Sequence, residues 1–168
     1  MNKVISIHTI RFFVLIIFQV LIFNHINFMG YINPYIYILF IAFYPVQNSR
    51  PLFLLFSFLL GLGVDLFSDS GGIHAAAALT IAYARPIALK FSFGSMYLHH
   101  NIKFGTIDLG AKITYIALLT VLHHFVLFTL EVFSVSKTIL VLQKTLFSGI
   151  FTILICIILS IIFSRSTK

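Results

Sequence analysis

An all-α, polytopic membrane protein is the fold class this sequence predicts, on three observations. Of its 168 residues, 60% are hydrophobic and 9% charged, and the mean hydropathy is +1.09. The few charges fall between apolar runs. No polar stretch is long enough to serve as the surface of a water-soluble domain, and no Gly/Ser/Pro linker or charged low-complexity tail divides the chain, so residues 1–168 read as one integral membrane domain.

A hydrocarbon core of about 30 Å takes about 20 apolar residues per helix. The apolar runs predict helices at about 4–23, 33–46, 51–67, 72–89, 112–132 and 144–163. In the first, Met1-Asn2-Lys3 and the residues after it have the look of a signal peptide. The run ends in Asn24-His25-Ile26-Asn27 without a small-residue cleavage pattern, so a retained helix is expected. Gln19, strongly polar in mid-run, is expected to bind a neighbouring helix.

The second run is short. Pro34 and Pro45 bracket only a dozen residues, about 18 Å of helix, which allows a re-entrant as well as a crossing segment. Asn33 is the expected cap with Pro34 in the first turn, and Tyr44-Pro45 with Asn48-Ser49 suits a turn. Charge decides between the two. With six passes and a cytoplasmic N-terminus, one side holds Lys3, Arg11, Arg50, Arg85, Lys90, Lys103, Lys112, Arg165 and Lys168, and the other only Lys137 and Lys144. A second run that turned back would put the most basic loop outside. Six passes with both termini cytoplasmic is therefore the expected topology, the short helix tilting little, borrowing length from 28–31, or lying where its neighbours shield its ends. The net charge of +7 is expected to set orientation; the basic loop from Lys90 to Lys112 could also touch anionic lipid headgroups or an acidic partner, and no nucleic-acid partner is expected.

On the third helix Ser57, Gly61 and Asp65 recur at helical spacing, a small polar stripe that should face protein. Asp65 lies roughly 20 Å along from Pro51, in the outer half of the membrane, where a carboxylate costs less than the about 2.5–3.5 kcal/mol of the bilayer centre. It either caps the turn Ser68-Asp69-Ser70-Gly71-Gly72 or contacts a partner or ligand. The fourth helix opens Gly72-Ile73-His74-Ala75-Ala76-Ala77-Ala78, small enough for close packing; Gly71-Gly72 lacks the lysine of a phosphate loop. On the fifth, adjacent His123 and His124 point about 100° apart and are expected to bond to neighbouring helices, and Glu131 falls near solvent at the outer end. The stretch 134–144 is either an outer-surface amphipathic segment or an extension of the last helix. Cys156 is the lone cysteine, so there is neither a disulfide framework nor a thiolate cluster.

No metal or catalytic arrangement follows from these residues. His99-His100 sits in a loop, an HExxH pattern is missing, and Asp65 has no second carboxylate in any apolar run. A noncatalytic protein without cofactor is expected. Of its 20 Phe and 7 Tyr, the tyrosines Tyr31, Tyr35, Tyr37 and Tyr44 are expected to anchor the interface.

Residues 19–45, QVLIFNHINFMGYINPYIYILFIAFYP, and 61–86, GLGVDLFSDSGGIHAAAALTIAYARP, resemble MreD, the small polytopic subunit of the bacterial rod-shape and cell-wall elongation machinery. The most specific part is the turn Gly61, Asp65, Leu66, Phe67, Ser68 and then Gly72. The resemblance implies a noncatalytic inner-membrane protein that binds the bitopic protein MreC and, with MreB, RodA and a class B penicillin-binding protein, supports elongation. It also implies a fold similar to the substrate-binding subunits of energy-coupling-factor vitamin transporters. Ser57, Gly61, Asp65, Ser68, Gly72 and Gln19 are the expected packing or partner positions. A solute-binding transporter subunit is the alternative, with Gln19, Asp65, Ser68 and His74 as the few polar groups for a pocket.

Overall fold

The computed structural model describes residues 2–28, 32–47, 49–98 and 107–165. Among them the ordered elements are helices, without a β-strand: α1 (Asn2–Leu21), a 3-10 turn (Phe23–His25), α2 (Ile38–Phe43), α3 (Arg50–Ser68), α4 (Ile73–Phe93), α5 (Ser95–Leu98), α6 (Leu109–Val132), a second 3-10 turn (Val135–Lys137) and α7 (Thr138–Arg165). Four spans are long and apolar enough to cross a membrane: His8–His25, Arg50–Ser68, Leu109–Val132 and Val135–Ile162. The molecule is thus an all-helical protein whose composition fits a bilayer.

Side-chain pairs fix the direction of each helix. Phe12 meets Phe56, Ile16 lies against Gly63, and Asn24 bonds to Ser68, so α1 and α3 run parallel. Tyr37 bridges His74 and His123 while Arg85 bonds to Tyr115, which makes α4 and α6 antiparallel. His124 to Thr152 and Glu131 to Lys144 set α7 antiparallel to α6. One end of the bundle therefore carries Asn24, Ser68, His74 and Glu131. The other carries Arg50, the Tyr44 turn, Lys90 and Lys112.

The segment after Pro34 departs furthest from expectation. Only Ile38–Phe43 is α-helical, with Tyr37 at its N-cap position; Asn33 does not cap it but pairs with Asn27. Tyr35 to Ala42 and Tyr44 are all buried, so this is the innermost segment of the chain rather than a lipid-facing helix. Other elements satisfy the polar groups that its irregular backbone leaves without helical partners, the condition under which nonhelical chain is tolerated at membrane depth. The Gln19 side chain donates to the Pro34 carbonyl (3.0 Å) and accepts from the Ile36 N–H (2.8 Å), and Thr152 accepts from the Tyr35 N–H (3.1 Å). Tyr44 before Pro45 is extended and ends α2.

Three further boundaries move. α4 continues through Pro86 to Phe93, so Lys90 lies on a helix and not in a loop. α6 starts at Leu109, three residues early, because the Asp108 carboxylate accepts from the Ala111 N–H (3.2 Å) as an N-cap. α7 begins at Thr138, so most of 134–144 is an extension of the last helix with Ile139 and Leu142 exposed. Tyr31, Asn48, His99, His100 and Lys103 lie outside the described residues.

Arg85 and Lys112, expected among the charges of the cytoplasmic side, are both buried. Arg85 projects from α4 into the interior, where Nε donates to the Tyr115 hydroxyl (2.9 Å) and Nη2 to the carbonyls of Ala42 (3.1 Å) and Tyr44, with the guanidinium 4.9 Å from the Phe53 ring centre. It ties the end of the inner segment to α4 and α6, a use for which arginine's planar, multi-donor fork suits it. The aromatic Tyr35, Tyr37 and Tyr44 likewise sit inside and not at an interface.

Candidate functional site

The expected stripe of α3 is buried and faces α4. Ser57 is fully buried, its hydroxyl donating to the Phe53 carbonyl of its own helix (2.8 Å). Gly61 makes the closest approach: a Cβ there would stand 2.5 Å from the His74 carbonyl oxygen and 2.6 Å from the Ala75 Cα. Only hydrogen fits, and the small residues that open α4 meet α3 backbone to backbone.

One turn on, Asp65 closes the α3–α4 connection. Its Oδ1 accepts from the Ser70 hydroxyl (2.6 Å) and the His74 N–H (3.0 Å), and its Oδ2 from the Ala75 N–H (2.8 Å). A carboxylate from the preceding helix thus takes the free amides that open α4, stabilised by the helix dipole as well as by the bonds. The same amides are no longer available to an exogenous anion. Gly72, expected to allow close packing, meets nothing within 4 Å where a Cβ would stand; it is needed for its φ of +96 at the N-cap. Ser68 accepts from Asn24 Nδ2 (2.8 Å), and Gln19 Nε2 donates to Asn24 Oδ1 (2.9 Å), so Gln19, Asn24 and Ser68 join α1, the inner segment and the turn.

Behind the turn lies an interior polar network. The Tyr37 hydroxyl stands 3.0 Å from His74 Nδ1 and 2.5 Å from His123 Nε2. His124 Nε2 is 3.0 Å from the Thr152 hydroxyl and its Nδ1 is 2.8 Å from the Thr120 carbonyl, so it must donate there. The Tyr35 ring packs on His74, His123, His124 and Phe128, with centroids 5.3 to 6.4 Å away. Both histidines of α6 bond to neighbouring segments, and no group of three metal-ligating side chains converges among the described residues.

These elements enclose a cleft of about 770 Å³ at the Asp65 end of the bundle. Asn24, His25, Asn33, Ser68, Asp69, Ser70 and Glu131 form its polar rim with Gly71; the buried Tyr35 and His74 lie at its base, and Phe67, Ile73, Leu127 and Leu130 complete the wall. Of the four polar residues expected around a pocket, Ser68 and His74 line it, whereas Gln19 and Asp65 stand behind the wall and hold it. Glu131 is half-exposed and paired through Oε1 with Lys144 Nζ at 2.7 Å. Sequence reading missed Tyr35 and Tyr37 as site residues. Their signal was the Tyr-x-Tyr spacing after Asn33-Pro34, which places two tyrosines in a stretch too short to cross a membrane alone.

No family model, curated protein or solved structure matches the chain.

Proposed function

We propose that this protein is a noncatalytic subunit of the bacterial rod-shape and cell-wall elongation complex, similar to MreD, crossing the inner membrane six times with both termini in the cytoplasm. In this reading α4 and the buried inner segment supply the two passes beyond the four long apolar spans. The end rich in Arg50, Lys90 and Lys112 faces the cytoplasm by the positive-inside rule, and the cleft faces outward.

One observation carries the reading: the most family-like turn divides into an inward clamp and an outward apolar pair. Gly61 and Asp65 are buried against α4, while Leu66 and Phe67 are 75% and 70% exposed beside the cleft. The clamp makes a rigid edge. The pair offers that edge an apolar contact for a bitopic partner similar to MreC, through which MreB, RodA and a class B penicillin-binding protein are reached. The interior polar groups hold segments together: the Asp65 carboxylate is engaged by three donors, and His123 and His124 bond across segments.

The test is capture from membranes. Tagged protein is expected to co-purify an MreC-like bitopic protein, and its depletion to round the cells. Phe67→Ser should weaken capture about tenfold, the effect of losing one apolar contact of about 1.4 kcal/mol, while leaving thermal stability in detergent unchanged. Depleted cells that stay rod-shaped, with no such protein captured, contradict the proposal. The cleft's volume, within the range of about 300–1,000 Å³ typical of small-molecule sites, favours a second reading as a solute-binding subunit. A small molecule retained through purification and identified by mass spectrometry would support it.

A further inference from the structure

The chain carries eleven Lys and Arg against four Asp and Glu, yet the cleft is lined by two carboxylates, Asp69 and Glu131, and by His25 and His74, with neither lysine nor arginine. A third acid, Asp65, lies directly behind the same wall. Lys144 holds Oε1 of Glu131, and Oε2 has no partner among the described residues. Asp69 sits exposed at the left-handed C-cap of α3, φ 50, where its position is fixed by its own N–H bonding to the Asp65 carbonyl.

Two buried side chains at the base of the cleft have hydrogen-bonding capacity that the protein does not use. Tyr35 is 9% exposed and its ring is fixed by three histidines, but its hydroxyl makes no hydrogen bond to a described residue. His74 is 5% exposed, and Nδ1 is engaged by Tyr37 while Nε2 has no partner among the described residues. Neither atom is among the side-chain atoms sealed from solvent without a partner, so both polar atoms are reached from the cleft. Here both border a cavity large enough for a ligand of several heavy atoms.

We propose that the cleft is a binding site for an organic ammonium group, from the juxtaposition of Asp69, Glu131 and the unsatisfied Tyr35 and His74 around one recess. Chemistry disfavours an anion and a bare divalent ion. An anion would meet two carboxylates, and the amides that open α4 are already taken by Asp65. A bare divalent ion needs more carboxylate or imidazole ligands than converge here. An ammonium is attracted by the carboxylates, its N–H groups donate to the Tyr35 oxygen and His74 Nε2, and Phe67, Leu127 and Leu130 accept its apolar stem. The ammonium comes either from a free amine or from the ethanolamine headgroup of a lipid, since the cleft opens at an end of the bundle. The inference rests on the cleft and not on the proposed partner, although the two share Phe67 at the cleft's edge.

The test uses purified full-length protein in nanodiscs of phosphatidylglycerol alone, with n-butylammonium chloride as probe and n-butanol as its neutral counterpart. Tyrosine emission and melting temperature are followed; the chain has no tryptophan to mask the signal. Butylammonium is expected to give a saturable change in both, and butanol none at the same concentration. Asp69→Asn, tolerated at a left-handed position, should weaken binding severalfold, and Asp69→Asn with Glu131→Gln at least about tenfold. If the double variant does not fold, the single one decides. Repeating the titration with phosphatidylethanolamine in the bilayer separates the sources: a lost response assigns the site to the lipid headgroup, an unchanged one to a free amine. No saturable response in phosphatidylglycerol, an equal response to butanol, or equal affinity in Asp69→Asn overturns the proposal.

Discussion

Gly61→Val is expected to abolish accumulation of the folded protein. The first atom of any side chain at this position falls 2.5 to 2.7 Å from the His74 carbonyl oxygen and the Ala75 backbone. Those atoms belong to α4 itself and cannot rotate away as a side-chain tip would. Gly61→Ala already forces α3 and α4 apart at their tightest contact, a cost of about 1–3 kcal/mol or more for overpacking, against a total stability of about 5–15 kcal/mol. Valine adds two further methyls to the same overlap. Gly149→Ala provides the control on α7, where nothing lies within 4 Å of the added atom. It should be neutral or stabilising by up to about 1 kcal/mol through helix propensity. Melting temperature and membrane abundance measured side by side check the pair, and equal stability of Gly61→Val and Gly149→Ala would contradict the packing described.

Asp65→Ala is expected to be nearly as damaging, for a different reason. It strands the Ser70 hydroxyl and the His74 and Ala75 amides, the last two at a buried helix start. Each unsatisfied buried group costs about 1–3 kcal/mol, so the two buried amides alone account for about 2–6 kcal/mol. Asp65→Asn should fall between, because its amide oxygen accepts at one position while its NH₂ faces a donor at the other. Partner capture should decline only in step with the amount of folded protein. Full stability together with lost capture would show instead that the carboxylate meets the partner directly.

The α3 stripe was legible because its signal is local. Three small or polar residues four apart on a bulky helix must share a face, and Ser57, Gly61 and Asp65 are all buried. The capping role of Asp65 was likewise one of two readings open from the adjacent Ser-Asp-Ser-Gly-Gly turn. What escaped depends on neighbours distant in the chain. Arg85 looked like one more topology-setting charge near the cytoplasmic end of an apolar run, whereas its partners are carbonyls 41 and 43 positions away in a segment that had to be irregular to present them. Tyr35 and Tyr37 matched the composition of an interfacial belt; they are interior because Gln19 and Thr152 satisfy the backbone around them and let it run through the bundle as little more than one helical turn. The early start of α7 was undecidable locally, since 139–142 is apolar enough for a helix or a surface segment.

The central claim is that the inner segment carries the chain across the bilayer, so that the cleft lies outside and the basic end inside. Cysteine accessibility tests it most directly, in a Cys156→Ala background carrying Ile26→Cys before the segment or Gln47→Cys after it, both exposed positions. In intact cells whose outer barrier has been made permeable, an impermeant maleimide is expected to label Ile26→Cys at once and Gln47→Cys only after the inner membrane is opened. Labelling of both positions from the same side would contradict the account, because Ile26 follows Asn24 at the cleft end of the bundle and Gln47 precedes Arg50 at the basic end, and the two ends would then not lie on opposite faces of the membrane.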